Sequence, residues 1–152
     1  MSVIKSIPNL TKEEFQKVLK QVPTTTIEVI IKTENGVLLG KRNTEPFKGM
    51  WHLTGGFIHY DEHIHDAVKR IGKRETGVDI EIVKLLGVYE YIHDDPRGHI
   101  IGLAYIVRVA GGKIAPNSDN SDLRFFSAPP DGMIPYQRKI VEDALRLSYT
   151  KT

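Results

Sequence analysis

"GGFIHYDEHIHDAVKRIGKRETGVDI", residues 55–80, reads as a paired-glycine turn, an amphipathic helix and a second glycine stop. Asp61 has the side chain of a helix N-cap, and the spacing predicts a helix through about Glu75, ended by Gly77. Ile64, Ala67, Val68 and Ile71 recur at helical spacing and predict one buried stripe. Positions 71, 74 and 75 lie three and four apart, so they share a face. That face reads Ile71, Arg74, Glu75: one aliphatic, one cation, one acid. Gly72, inside the helix, costs roughly 1 kcal/mol against Ala. It fits close packing on a sheet and needs no chemical role.

On the N-terminal side, Thr11 followed by Glu14 forms a capping box for a helix from about Lys12 to Gln21, closed by Pro23, within a helical segment at about 9–22. "TTTIEVIIKT" is a strand, "ENG" at 34–36 a hairpin turn and "VLLGKR" the returning strand. "MWHL" is a short strand leading to the glycine pair. On the other side, "VDIEIVKLLGVYEYIH" and "HIIGLAYIVRV" are longer strands joined by "DDPRG", read as a polar turn whose acids need no role. "LRFFS" is a further strand. Pro135 opens a last helix to about Ser148, with Ile140, Val141, Ala144 and Leu145 as its packing stripe. This order predicts an α/β fold, a sandwich with a mixed β-sheet between helices.

The chain has 152 residues, 40% hydrophobic and 26% charged, enough for one domain with its own core. Zero cysteines exclude disulfides, thiolate nucleophiles and cysteine–zinc sites, and fit a reducing cytoplasm. The opening "MSVIKSIPNL" has no long apolar run, so no secretory signal is expected. "IIGLAYIV" is far too short for a membrane span. A net charge of +2 is too mild to announce nucleic acid, and no nucleic-acid motif is present, so neither nucleic acid nor membrane is expected as a partner. The charge is compatible with small phosphorylated ligands.

Gly56, five residues, Glu62, seven residues, Arg70, then Glu75-Thr76-Gly77-Val78 reproduces most of the spacing of the Nudix box, here at 56–78. The whole chain, 1–152, therefore resembles a single Nudix hydrolase domain. Where that box carries acids, Ile71 and Arg74 stand instead. Among Nudix proteins such a thinned box resembles the GDP-mannose mannosyl hydrolase branch. "LTKEEFQKVLKQVP", "VLLGKRNTEPFKGMWHLTGGF" and "GVYEYIHDD" resemble that branch's N-terminal helix, its strand and loop entering the box, and the segment after it.

The resemblance implies a Mg²⁺ ion, replaceable by Mn²⁺, held by the Gly55 carbonyl, the Glu75 carboxylate and Asp119. It implies catalytic roles for Glu62, Arg70, Glu75 and Asp119, with Arg42 and Arg70 facing the diphosphate. Gly56 and Phe57 follow as substrate contacts. It also implies a homodimer in which the N-terminal segment is exchanged. Phe57 replaces an Arg of the branch, and Asn120 replaces its general-base His, which Asn cannot replace as a proton acceptor. Asp119, or His93, Asp94 or Asp95, is left for that task.

Tyr91 and His93 alternate with Tyr89 on the expected strand and are candidate pocket residues. His59, His63 and His65 do not share a face and are read as a solvated first turn rather than a metal site. Three activities remain open: hydrolysis of a nucleoside diphosphate sugar to sugar and nucleoside diphosphate, Nudix cleavage at phosphorus, and a nucleotide-sugar binding module with faded activity.

Overall fold

The structure, a computed structural model, describes residues 10–148. Helix α1 (Lys12–Gln21) starts at the expected capping box: Thr11 Oγ1 accepts the Glu14 N–H, and Glu14 Oε2 accepts the Thr11 N–H. Its Phe15 and Leu19 are buried, so the helix is held by an apolar stripe beyond its cap.

Strand β1 (Thr24–Thr33) is the centre of the sheet. Along its length it pairs in parallel with β6 (Ile100–Gly111), which pairs antiparallel with the edge strand β5 (Asp79–Tyr91). On its other side β1 serves two partners in turn. Residues 26–29 pair with β4 (Thr54–Phe57), whereas Lys32 and Thr33 pair with β2 (Gly36–Arg42) across the expected hairpin. β2 continues away from β4 and pairs with β3 (Trp51–His52) and β7 (Asn120–Phe126). The two half-sheets therefore part beside β1, and a cleft opens there.

Alternation along β1 sends Ile27, Val29 and Ile31 to one layer and Ile30 to the other. The first layer is closed by helix α2 (Ile64–Thr76) through Ala67, Val68 and Ile71, all fully buried. The second is closed by α1 and by α3 (Arg138–Leu145), with Ile140, Val141 and Ala144 inward. The result is the α/β/α sandwich with a mixed sheet. Each fully buried aliphatic side chain contributes about 1.5–3 kcal/mol, and these two layers contain most of them. Among the described residues no helix is long and apolar enough to cross a membrane.

Two local expectations are corrected. Asp61 is not the N-cap of α2: it adopts a positive φ of 64° in the preceding turn, and the helix begins at Ile64 behind His63. That turn is fastened instead by Glu62, whose Oε1 accepts the His59 N–H at 3.0 Å. Pro135 opens a short 3-10 turn, Pro135–Gln137, before α3 begins. Gly77 ends α2 as expected, with φ of 82° and its N–H bonded to Lys73 O. Gly72 does mark close packing: a Cβ there would lie 3.0 Å from Ile80 Cγ1 on β5.

Candidate active site

The cleft floor is the glycine pair of β4. Gly55 faces Glu28 in the β1–β4 register, and a Cβ at Gly55 would collide with the Ile27 carbonyl oxygen. Gly56 lies under the end of Arg74, where a Cβ would come 2.5 Å from Nη2. Glycines are needed here because the β1 backbone at Gly55 and the Arg74 side chain at Gly56 leave no room for a Cβ.

Glu75 reaches the cleft from the last turn of α2 and is only 4% exposed. Both its carboxylate oxygens are engaged: Arg74 Nη2 donates to Oε1 at 3.2 Å, and Asn120 Nδ2 donates to Oε2 at 2.8 Å. Burial pushes the Glu75 carboxyl above the ordinary range, and Arg74 opposes that shift. Arg74 Nη2 also lies 3.4 Å from the Gly55 carbonyl oxygen. Asn120 is fully buried, and its Oδ1 faces His52 Nε2 at 2.6 Å. Since the Asn120 amide nitrogen is committed to Glu75, His52 carries its proton on Nε2. Burial, reinforced by Arg42, lowers the His52 pKa to about 4, so the ring is neutral. Gly40 makes this chain of bonds fit, because a Cβ there would collide with Asn120 Oδ1.

Two further cations line the cleft. Arg42, at the end of β2, donates from Nε to the Pro46 carbonyl at 2.6 Å, and desolvation lowers its pKa. Arg97 comes from the β5–β6 loop, clamped by Asp95 through Nη2–Oδ2 at 2.6 Å and Nε–Oδ1 at 2.9 Å. Asp95 is buried and also accepts the Tyr136 hydroxyl at 2.8 Å. Burial penalises both members of the pair, but their mutual bonds win, lowering Asp95 and raising Arg97. The Arg97 guanidinium stands 5.5 Å from the Phe57 ring centroid, close enough for a cation–π contact.

Glu28 completes the cleft from β1. Thr26 Oγ1 donates to its Oε1 at 3.0 Å, and its buried Oε2 has no hydrogen-bond partner among the described residues. Burial raises its pKa to about 7. An unsatisfied buried carboxyl oxygen is costly, and a ligand or water hydroxyl would relieve it.

Glu75, Asp119, Arg42, Gly55, Gly56 and Phe57 thus meet in one cleft. The other expected residues do not. Arg70 is spent on Glu62, Nε–Oε2 2.7 Å and Nη2–Oε1 2.9 Å, and on the Phe57 carbonyl at 2.9 Å. It does not face the cleft; with Glu62, whose pKa it lowers, it ties the glycine strand to α2 as a positioning pair. Tyr91 is a core residue, its ring 4.6 Å from that of Tyr136. His93 lies beyond the end of β5, exposed, so the strand alternation proposed for it does not apply. Nor is "DDPRG" a solvated turn, since Asp95 is buried and Arg97 enters the cleft. Glu28 could have been suspected as the one acid in a β-branched strand, because such residues are rarely buried unpaired. His52 and Gln137, whose Oε1 accepts the Leu53 N–H at 2.8 Å, left no signal in the sequence.

A NUDIX domain model matches residues 22–143. The chain belongs to the Nudix family. Among curated Nudix relatives, an ADP-ribose pyrophosphatase of Methanocaldococcus jannaschii is 37% identical over 125 residues, covering 82% of this chain and 74% of that protein. The low-salt glycan biosynthesis protein Agl8 of Haloferax volcanii is 30% identical over 144 residues, covering 91% and 92%. Among solved structures, a MutT Nudix hydrolase from Burkholderia pseudomallei superimposes with a TM-score of 0.72 at 23% identity, covering 82% of this chain and 99% of that one. At that identity the likeness speaks for the fold.

The Nudix frame implies a divalent metal between the glycine carbonyl and the last box Glu. The side chains present do not fit it. The Arg74 guanidinium bonds to both the Gly55 carbonyl oxygen and Glu75 Oε1, and Asn120 takes Oε2. Among the described residues no group of three or more His, Cys, Asp or Glu side chains could hold a metal ion.

Proposed function

We propose that this Nudix chain hydrolyses a nucleoside diphosphate sugar, releasing the sugar and the nucleoside diphosphate. The observation that carries the reading is the convergence of Arg42, Arg74 and Arg97 on one cleft floored by Gly55 and Gly56. Guanidinium groups match phosphate oxygens in geometry and charge. Placed on a diphosphate, they stabilise the charge that grows as it departs, which is worth most where water is excluded.

Water attacks the anomeric carbon, the bond from that carbon to the diphosphate oxygen breaks, and the electron pair leaves with the diphosphate. The water's proton passes to a cleft carboxylate, Asp119 or Glu28. Such a carbon has oxocarbenium character in the transition state, so modest deprotonation of the water suffices. In this reading side-chain cations take the neutralising role that the Nudix resemblance gives to Mg²⁺ or Mn²⁺.

A second reading has support from a relative's name. The 37% identical protein is called an ADP-ribose pyrophosphatase, and ADP-ribose carries its diphosphate on the 5′ oxygen of the ribose, away from the anomeric carbon. Attack on phosphorus there would give a nucleoside monophosphate and a sugar phosphate. Turnover of GDP-mannose in ¹⁸O-labelled water separates the two, and ADP-ribose, which has no anomeric phosphate bond, reports on phosphorus attack alone. Label in free sugar supports carbon attack; label in a phosphate product selects the second reading. Absence of turnover and binding for both compounds would sink both.

A further inference from the structure

We infer that Arg74 stands in for the divalent metal: the cleft binds its diphosphate through side-chain cations and needs no metal ion to do so. The inference rests on the reading of the cleft as a diphosphate site.

Arg74 Nη2 is at once 3.4 Å from the Gly55 carbonyl oxygen and 3.2 Å from Glu75 Oε1. Those two oxygens are the ones the Nudix frame offers to a cation. A guanidinium is a cation of fixed charge carrying several donors, so it satisfies both oxygens as a metal would. A dication entering the same space would meet that charge within hydrogen-bond distance of its own ligands, where repulsion is largest.

The neighbouring residues agree with this occupancy. Ile71, on the same face of α2, is fully buried and leaves no acid there to attract a dication. Asn120, a neutral amide, holds the second Glu75 oxygen by donating to it, a contact a metal-bound oxygen would have to share. The Glu75 backbone carbonyl is taken as well, accepting Asn117 Nδ2 at 2.6 Å. Gly56 leaves the space that Nη2 occupies. On this face of α2 a single acid, Glu75, meets a single cation, Arg74, a balanced pair where the Nudix frame would set several acids. The position is built around the guanidinium.

Two measurements on the full chain test this. The first is a titration of the protein with Mn²⁺ followed by electron paramagnetic resonance, without nucleotide. The second is calorimetric binding of ADP and GDP in EDTA and in excess Mg²⁺. The wild type is expected to bind Mn²⁺ no tighter than millimolar, and to bind the preferred nucleotide with affinities within about threefold in the two buffers. Arg74→Glu, which supplies the missing acid, is expected to gain at least about tenfold in Mn²⁺ affinity. Arg74→Gln, which removes the charge and keeps an amide, is expected to lose about tenfold or more in metal-free nucleotide binding.

Micromolar Mn²⁺ binding by the wild type, or about tenfold weaker nucleotide binding in EDTA, would overturn the inference. Should Arg74→Glu fail to fold, the wild-type arms and Arg74→Gln decide. Failure to bind either nucleotide in both buffers would count against the diphosphate reading, and the Mn²⁺ titration would still judge Arg74.

Discussion

Asn120 donates its side-chain amide to Glu75 across 2.8 Å, joining two buried residues 45 positions apart in the chain. The same amide's oxygen accepts from His52, so a single neutral side chain satisfies a carboxylate and an imidazole together. Asn120→Ala would leave both without that partner, at a cost of about 3 kcal/mol. Urea denaturation should show a lower midpoint at unchanged slope. A midpoint equal to the wild type's would mean that the bond carries no net stability.

Glu75→Gln keeps the shape of the residue and removes the charge that holds Arg74. The variant is expected to stay folded and to lose about a hundredfold in kcat/KM. Circular dichroism and steady-state kinetics together check this; full activity in a folded variant would remove Glu75 from the chemistry.

The pH dependence of stability should reflect two buried groups that oppose each other. Glu28 holds its proton more tightly folded than unfolded, so its contribution is fully present below about 4.5 and lost as pH rises through about 7. His52 holds its proton less tightly folded, so its contribution is present above about 6.5 and lost as pH falls through about 4. The difference between Glu28→Gln and wild type isolates the first effect. The variant should gain stability steadily between pH 4.5 and 7, reaching about 3 kcal/mol. Melting curves of the two proteins across that range provide the measurement, and parallel profiles would refute the assignment.

Arg97→Ala would leave the buried Asp95 charge without its cation, held only by the Tyr136 hydroxyl and the residue-97 backbone N–H, at a cost of about 3–5 kcal/mol. Asp95→Asn,Arg97→Ala together should cost less, since the stranded charge is gone. Both variants should bind a nucleoside diphosphate more weakly, whereas only the single one should be strongly destabilised. Equal loss of stability in the two would show that the charge is not what matters.

The N-terminal helix offers a separate test. Phe15 packs edge-on against Phe57, ring centroids 5.1 Å apart, so α1 supports the wall on which Arg97 stands. Phe15→Ala should cost about 3–5 kcal/mol and weaken nucleotide binding as well. Residues 1–9, part of the segment expected to be exchanged between subunits, lie outside the described residues. The homodimer is kept as a proposal, and sedimentation velocity of the intact chain should give twice the mass of one chain. A monomer at micromolar concentration would end it.

The order of elements was legible in the sequence because its signals are local. Thr11 with Glu14, the turn at 34–36 and Gly77 each act within a few residues, and each stands where expected. The cleft was legible only where the Nudix frame named its residues. Arg97 and Asp95 looked like a turn because their polarity is what a turn also shows, and only burial against Tyr136 and Phe57 distinguishes them. The role of Arg74 is set by its distance to Gly55, 19 positions away. Arg70 was misplaced for the opposite reason: its partners Glu62 and the Phe57 carbonyl are near in sequence, yet no pattern of residue types reveals a backbone acceptor.

Strand β1 has a consequence for evolution. Its odd-numbered residues from Ile27 to Ile31 face α2, and Glu28 lies on the opposite face, set against Gly55 on one side and Ala104 on the other. A slip of one residue would drive the Glu28 carboxyl into the aliphatic layer under α2 and turn an isoleucine into the cleft. Misthreaded chains would therefore fail as folds before they could fail as catalysts. The buried acid of the cleft also polices the alignment of the strand that carries it, so selection on one is felt by the other.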